Sequence, residues 1–368
     1  MDETVSGTSA SEMTSGYDAH PALRRWLLEL AADYRVLVPA EKGGNRIFQD
    51  VSTTDALVFG LAQDRTVLPA KKAFLPPEEL LFEFNAGRIL PAMPLDDTIV
   101  FGLHVCELSA DRLLTANMTH DRPDFHYLMR RNGGIIAGVS CRRTSGCFCE
   151  KTGHDQIVPG DFDLFLDLDG CSGWDSAGTG EQCGGKAKTS VAQPRLIAGS
   201  AAGRNLAASA PFPLENATGA IRAPEASAGS KTWPLDELPA RIRDSFGAAL
   251  WDDLAARCLG CGNCTIVCPL CYCFYTRDET GLAPETGRRL RLWDSCQLLA
   301  FARVAGGHNF RESRSERIWY RFSHKFMRMQ ETLGHAGCSG CGACLHFCPA
   351  DIDPQQVIAA VLEVTDGA

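Results

Sequence analysis

The sequence predicts an α+β protein, with a mixed α/β domain first and a helical domain in the last third. Three observations carry this. Short apolar runs bounded by turn residues alternate with helical spacing up to about residue 183. After Asp236 apolar residues recur at helical intervals instead. The 17 cysteines are split unevenly, six before residue 190 and eleven between Cys258 and Cys348. A chain of 368 residues is long enough for two domains with sizeable cores.

Composition narrows the class. With 45% hydrophobic residues the chain is not wholly disordered. Its net charge of −9 argues against general nucleic-acid binding, which needs a basic face. No run approaches the ~18 consecutive apolar residues of a membrane helix, so no membrane partner is expected. The first 20 residues lack the basic and apolar regions of an export signal, and a cytoplasmic location is the expectation. Thiols there stay reduced unless a metal claims them, and an odd total cannot pair completely within one chain.

In chain order, residues 1–20 are small and polar and read as a flexible tail. Residues 21–183 form the α/β domain. Leu23, Trp26, Leu27 and Leu30 give Ala22–Tyr34 helical spacing. Arg35–Val38, Asp97–Gly102, Ile135–Val139 and Phe162–Leu168 read as buried strands, with a helix over Glu107–Met118. No Gly-x-Gly-x-x-Gly follows any of these strands, so no dinucleotide fingerprint is present. Residues 184–232 are rich in Ala, Gly and Ser and read as a linker or loosely ordered insertion; the alternative is a small-residue loop folded onto the first domain. Residues 233–368 read as the helical domain. Leu238, Ile242, Phe246, Leu250 and Leu254 recur every four residues, Arg311–Leu333 repeats the pattern before Gly334, and Asp353-Pro354 caps a last helix over Gln355–Leu362.

The chemistry lies in a repeated motif. Cys258-x2-Cys261-x2-Cys264-x3-Cys268-Pro269 recurs as Cys338-x2-Cys341-x2-Cys344-x3-Cys348-Pro349. Three thiolates at this spacing wrap one corner of a [4Fe–4S] cubane, and the cysteine before proline ligates the other cluster. The spacing therefore predicts one cluster on Cys258, Cys261, Cys264 and Cys348. A second falls to Cys338, Cys341, Cys344 and Cys268. Gly260, Gly262, Gly340 and Gly342 fit loops that need positive φ. Tetrahedral zinc explains neither the third cysteine nor the x3-Cys-Pro tail. The helical domain thus reads as a ferredoxin-like domain with two [4Fe–4S] clusters.

Other cysteines are less specific. Cys106, Cys141, Cys147 and Cys149 lie at the ends of two predicted strands and offer four thiolates for a third iron–sulfur centre, for zinc, or for none. Cys271, Cys273 and Cys296 read as small packing groups beside the clusters, and Cys171 and Cys183 as incidental. About 70 residues separate the motifs, an insertion that reads as helical and basic. From Arg288 to Arg328 it carries ten Lys and Arg against three acids, so its cations can face anionic clusters, an acidic partner or a flavin pyrophosphate. For any one of them a solvated basic helix is the simpler reading. No Ser/His/Asp set or His-x-x-Glu motif stands out, so the chain reads as a non-catalytic subunit.

The segments CGNCTIVCPLCYCFYTRDE, RLWDSCQLLAFARVAGGHNFRESRSERIWYRFSHKF and GCSGCGACLHFCPADID resemble the beta subunit of cytoplasmic sulfhydrogenases and the dicluster iron–sulfur subunit of anaerobic sulfite reductase. The resemblance is close over residues 236–354 and weaker over PAKKAFLPPEELLF, VFGLHVCE and YLMRRNGGIIAGVSCRRTSGCFC. It implies a dicluster electron-transfer subunit, with the same eight ligands. Such a subunit sits between a catalytic subunit of hydrogenase, sulfur or sulfite reductase type and a flavin- and NAD(P)H-binding subunit. Two other readings stand beside it: a self-contained flavin- and iron–sulfur-dependent reductase, and a redox-sensing iron–sulfur protein.

Overall fold

The computed structural model describes residues 21–54, 65–93, 97–141, 146–168, 194–224, 232–281 and 285–364. The expected N-terminal tail and both Cys171 and Cys183 lie outside them.

A seven-stranded sheet forms the first half. After helix α1 (Pro21–Leu30) come β1 (Arg35–Lys42) and β2 (Asn45–Asp50), then β3 (Glu78–Asn85), β4 (Arg88–Pro91) and β5 (Thr98–Leu103). Helices α2 (Val105–Thr119) and α3 (Phe125–Asn132) lead to β6 (Ile135–Val139), β7 (Gln156–Ile157) and β8 (Leu164–Asp167). Next are β9 (Arg195–Ala198), α4 (Ala201–Leu206), β10 (Leu214–Asn216) and β11 (Ile221–Arg222). The sheet order is β10-β9-β8-β6-β5-β1-β2. Strands β1, β5, β6 and β8 are parallel, β2 is antiparallel to β1, and β9 is antiparallel to β8 but parallel to β10. Parallel strands need cover on both faces, and their sequence is apolar throughout. On one face α1 places Leu23, Trp26 and Leu27 against Val36, Val38, Ile99 and Phe101. On the other α2 places Leu108, Leu113 and Leu114 with Leu37, Val100 and Ile136.

Residues 194–224 are ordered structure, not a loosely ordered linker: β9 and β10 join this sheet, and β11 pairs with β7 in a separate two-stranded one. Leu196 and Ala198 on β9 bury themselves, and Leu206 and Ala207 join the α1 side of the core. Ser200 caps α4 by accepting from the Gly203 amide at 3.1 Å. Small residues are used here for close approach: a Cβ on Gly203 would meet the Asp163 carbonyl oxygen at 1.7 Å. The alternative of a small-residue segment folded onto the first domain describes this stretch.

The last third contains α5 (Leu238–Asp244), α6 (Ala249–Arg257), α7 (Asn263–Ile266), β12 (Phe274–Thr280), β13 (Thr286–Trp293) and α8 (Arg314–Ser323). A π turn over His324–Arg328 continues α8 into α9 (Met329–Leu333), followed by α10 (Ala343–His346) and α11 (Pro354–Glu363). The expected helix over Leu238–Leu254 is two, because Gly247 turns the chain at φ +82°, and Phe246 is exposed. Leu238, Ile242, Trp251, Leu254, Ile318, Phe322 and Val357 make the core between these helices.

The insertion between the motifs is not wholly helical. β12 and β13 form a hairpin in the order β12-β13-β3-β4, all antiparallel. Phe274, Tyr275, Thr276 and Trp293 are strand formers, which outweighs the basic, helix-compatible composition around them. β3 pairs with β13 from Asn85↔Thr286 to Glu78↔Leu292. One sheet therefore joins residues on both sides of the expected boundary at 184–232. No described helix is long and apolar enough to cross a membrane.

Candidate metal centre

The two cysteine motifs fold as near copies. Each turns twice through left-handed glycines. φ is +64° at Gly260 and +80° at Gly262, against +64° at Gly340 and +73° at Gly342. The second glycine of each pair caps a short helix, α7 or α10. Asn263 on α7 donates to the Phe347 carbonyl after α10 at 3.4 Å, tying the two copies together.

The turns aim backbone amides at sulfur. Gly260 N–H donates to Cys258 Sγ at 3.3 Å, Leu270 N–H to Cys268 Sγ at 3.4 Å and Ile352 N–H to Cys348 Sγ at 3.4 Å. Proline after Cys268 and Cys348 has no N–H, so the donor comes from further along the chain. Such donors lower the cost of negative charge on sulfur.

Cys258, Cys261, Cys264 and Cys348 line one pocket, together with Cys344, Arg321 and the apolar Ile318, Phe322 and Ile352. Cys261 is exposed, so one corner of the pocket faces solvent. Cys338 and Cys341 each feel the neighbouring Cys344 and Cys268. Burial pushes the Cys338 thiol up to about 11 against the pull of Lys325, and Cys344 and Cys268 add to the rise. Cys341 is held well above the thiol range by burial and then by Cys268 and Cys344. Among the pocket cysteines burial pushes Cys264 up to about 12, opposed by Arg321. Cys268 goes the other way: the Cys271 S–H donates to it, and Lys325 and Lys71 add positive charge. A buried thiol raised this far stays protonated until a metal displaces the proton.

Cationic groups converge on both sets. Lys325 donates to Cys268 Sγ at 3.4 Å and to the Gly337 carbonyl at 2.8 Å. Lys71 donates to the Cys271 carbonyl and lies 4.2 Å from the Trp293 ring centroid. Arg65 donates to the Cys341 carbonyl and to Cys147 Sγ, the latter at 2.9 Å. Arg65 and Lys71 come from 276 and 200 residues away in sequence, and no local pattern marks them.

Parallel pairing of β5 and β6 sets Cys106 and Cys141 at adjacent strand ends. Cys106 is pushed well above the thiol range by burial, then by Cys341, Glu107, Cys149 and Cys141. The N-terminal cysteines thus lie against the second motif. Phe148 N–H donates to the Gly340 carbonyl at 2.8 Å, and a Cβ on Gly340 would meet Cys149 at 2.5 Å. Cys296 is buried and pairs with Cys273, while Cys271 pairs with Cys268. Among the described residues, no three Cys, His, Asp or Glu side chains converge tightly enough for a single metal ion. Zinc needs sulfurs at ~2.3 Å from one point. Thiols spread around a walled volume, with amides aimed at sulfur and buried cations beside them, fit an iron–sulfur centre.

A 4Fe-4S dicluster domain family matches residues 257–352. The chain is 32% identical over 332 residues to sulfhydrogenase 2 subunit beta of Pyrococcus furiosus, covering 89% of this chain and 92% of that protein. No solved structure matches. A dicluster motif matched within a likeness running nearly end to end settles the family: the chain belongs to the sulfhydrogenase beta subunits, as an iron–sulfur electron-transfer subunit.

Proposed function

We propose that this chain relays electrons within a hetero-oligomeric oxidoreductase, between a catalytic subunit of hydrogenase, sulfur or sulfite reductase type and a flavin- and NAD(P)H-binding subunit. The observation that carries the reading is the pocket walled by Cys258, Cys261, Cys264 and Cys348, in which the last cysteine comes from the other motif. Crosswise sharing of this kind sets two clusters side by side. Cys338, Cys341, Cys344 and Cys268 hold the second. Cys106, Cys141, Cys147 and Cys149 are the candidate ligands of a third centre, which their position against the Cys341 loop supports. The relative's name, a sulfhydrogenase subunit, supports partner subunits.

When bound, each cluster takes up and releases one electron. The chain's own part is to hold the sulfurs and to moderate the added charge. The amides of Gly260, Leu270 and Ile352 stabilise sulfur charge, Ile318, Phe322 and Ile352 exclude water, and exposed Cys261 opens a route to a partner.

Anaerobically purified protein is expected to hold about eight irons for two cubanes, or about twelve with a third. NAD(P)H together with the flavoprotein partner should bleach the clusters reversibly. Stoichiometric zinc without iron would refute the reading.

A further inference from the structure

Four of the ten cations between Arg288 and Arg328 are buried, and two of those are explained by ordinary partners. Arg291 pairs with Glu79 and Asp124. Arg317 donates to the carbonyls of Gln297, Arg311 and Glu312. Arg321 and Lys325 are different. Both are buried, at 7% and 5% exposure. They sit four residues apart on one helix, where like charges repel. Arg321 Nε has no hydrogen-bond partner among the described residues, and no described ion pair includes either side chain.

What surrounds them is sulfur. Arg321 lines the pocket of Cys258, Cys261, Cys264 and Cys348, and the sulfurs facing it most strongly are those of Cys264 and Cys344. Lys325 donates to Cys268 and is acted on by Cys268, Cys271 and Cys338. The π turn that starts at His324 carries Lys325, and such turns recur at functional positions. A buried cation without an anion is costly, and two on one face are more so. Four thiolates around a cubane give a net anionic group, which supplies the missing charge.

We infer that Arg321 and Lys325 are fixed counter-charges, Arg321 for the cluster held by the first pocket and Lys325 for the cluster on Cys268 and Cys338. This rests on the two-cluster reading above. The pair raises both reduction potentials, because each electron added to a cluster meets a cation that is already in place. It also ties the fold to cluster loading, since the empty protein leaves Arg321 buried with no charge opposite it, while Lys325 keeps only Cys268 and the Gly337 carbonyl.

The test uses full-length protein, loaded anaerobically and also stripped of iron, as wild type, Lys325→Met, Lys325→Arg and Arg321→Met. Iron content, both cluster midpoint potentials and thermal midpoints are measured. Lys325→Met is expected to lower one midpoint potential more than the other, Arg321→Met to show the opposite preference, and Lys325→Arg to restore most of the shift. Loaded Arg321→Met should melt below loaded wild type, whereas stripped Arg321→Met should melt above stripped wild type. Unchanged potentials, or a lower melting point in both states, would overturn the inference. If Lys325→Met takes up no iron, the stripped comparison and Lys325→Arg still decide. Wild type without iron would instead sink the two-cluster reading itself.

Discussion

Gly260 and Gly340 hold the same place in the two cysteine loops and share φ of +64°, yet a methyl group meets different surroundings. At Gly260 the nearest atoms lie 3.8 Å away, while at Gly340 backbone atoms of Phe148 and Cys149 lie at 2.5 Å. Gly260→Ala is expected to cost about 1–2 kcal/mol for the left-handed backbone alone. Gly340→Ala should cost at least ~2 kcal/mol more, because backbone cannot step aside, and should also weaken iron retention; denaturant unfolding and iron counts on both variants decide. His154 gives a pH signature. Burial, then Arg112 and His335, lower it to about 4, against a smaller opposing pull from the Ala336 backbone. The unfolded chain takes up this proton near pH 6.5 and the folded chain only near 4, so stability falls on acidification across that window. The loss is up to ~3 kcal/mol. His154→Leu should flatten the dependence of the thermal midpoint between pH 7 and 4.5.

At the level of elements, a buried ionic knot fastens the second sheet to the first half. Arg291 on β13 donates through Nε to Glu79 on β3 at 2.7 Å and also reaches Asp124 before α3, while Arg130 on α3 reaches the same Glu79. The Glu79 side chain is wholly buried and that of Arg291 is 3% exposed, so neither charge has water to fall back on. Arg291→Met is expected to destabilise by about 1–3 kcal/mol, because buried Glu79 keeps only Arg130, and Asp124 loses its cation, whereas Arg289→Met on the same strand, paired with exposed Asp278, should leave stability nearly unchanged. Urea midpoints of the two variants check this. The same knot shows which parts of the fold the sequence could reveal. The parallel strands were legible because their signal is local: apolar runs between turns. The cysteine loops were legible for the same reason, their spacing falling within eleven residues. The β12–β13 hairpin was missed because its partner strand lies about two hundred residues earlier, and single-sequence periodicity cannot see pairing at that range. The basic stretch was visible, but not that Arg321 and Lys325 face inward while Arg288 and Arg289 lie on the surface.

For the molecule as a whole, the second cysteine loop rests on the first half rather than beside it. Gly340 and Gly342 press against residues 146–149, and Arg65 and Lys71 reach from the first half to the cysteine-bearing backbone. A fragment beginning at residue 233 keeps all eight motif cysteines, yet it is expected to aggregate and to hold fewer irons than the full chain. β13 loses β3, and Cys341 and Cys271 lose their cationic neighbours. Size-exclusion chromatography and an iron assay on the fragment test this. The pairing of β3 with β13 also imposes an order of events during synthesis. The residues from 86 to 285 must be made before β13 appears, which at ~5–20 residues per second takes roughly ten to forty seconds. Throughout that interval the nascent chain carries an open strand edge on β3, a template for wrong partners. Iron loading at the second loop comes later still, so a newborn chain needs shelter on the ribosome well before it needs metal.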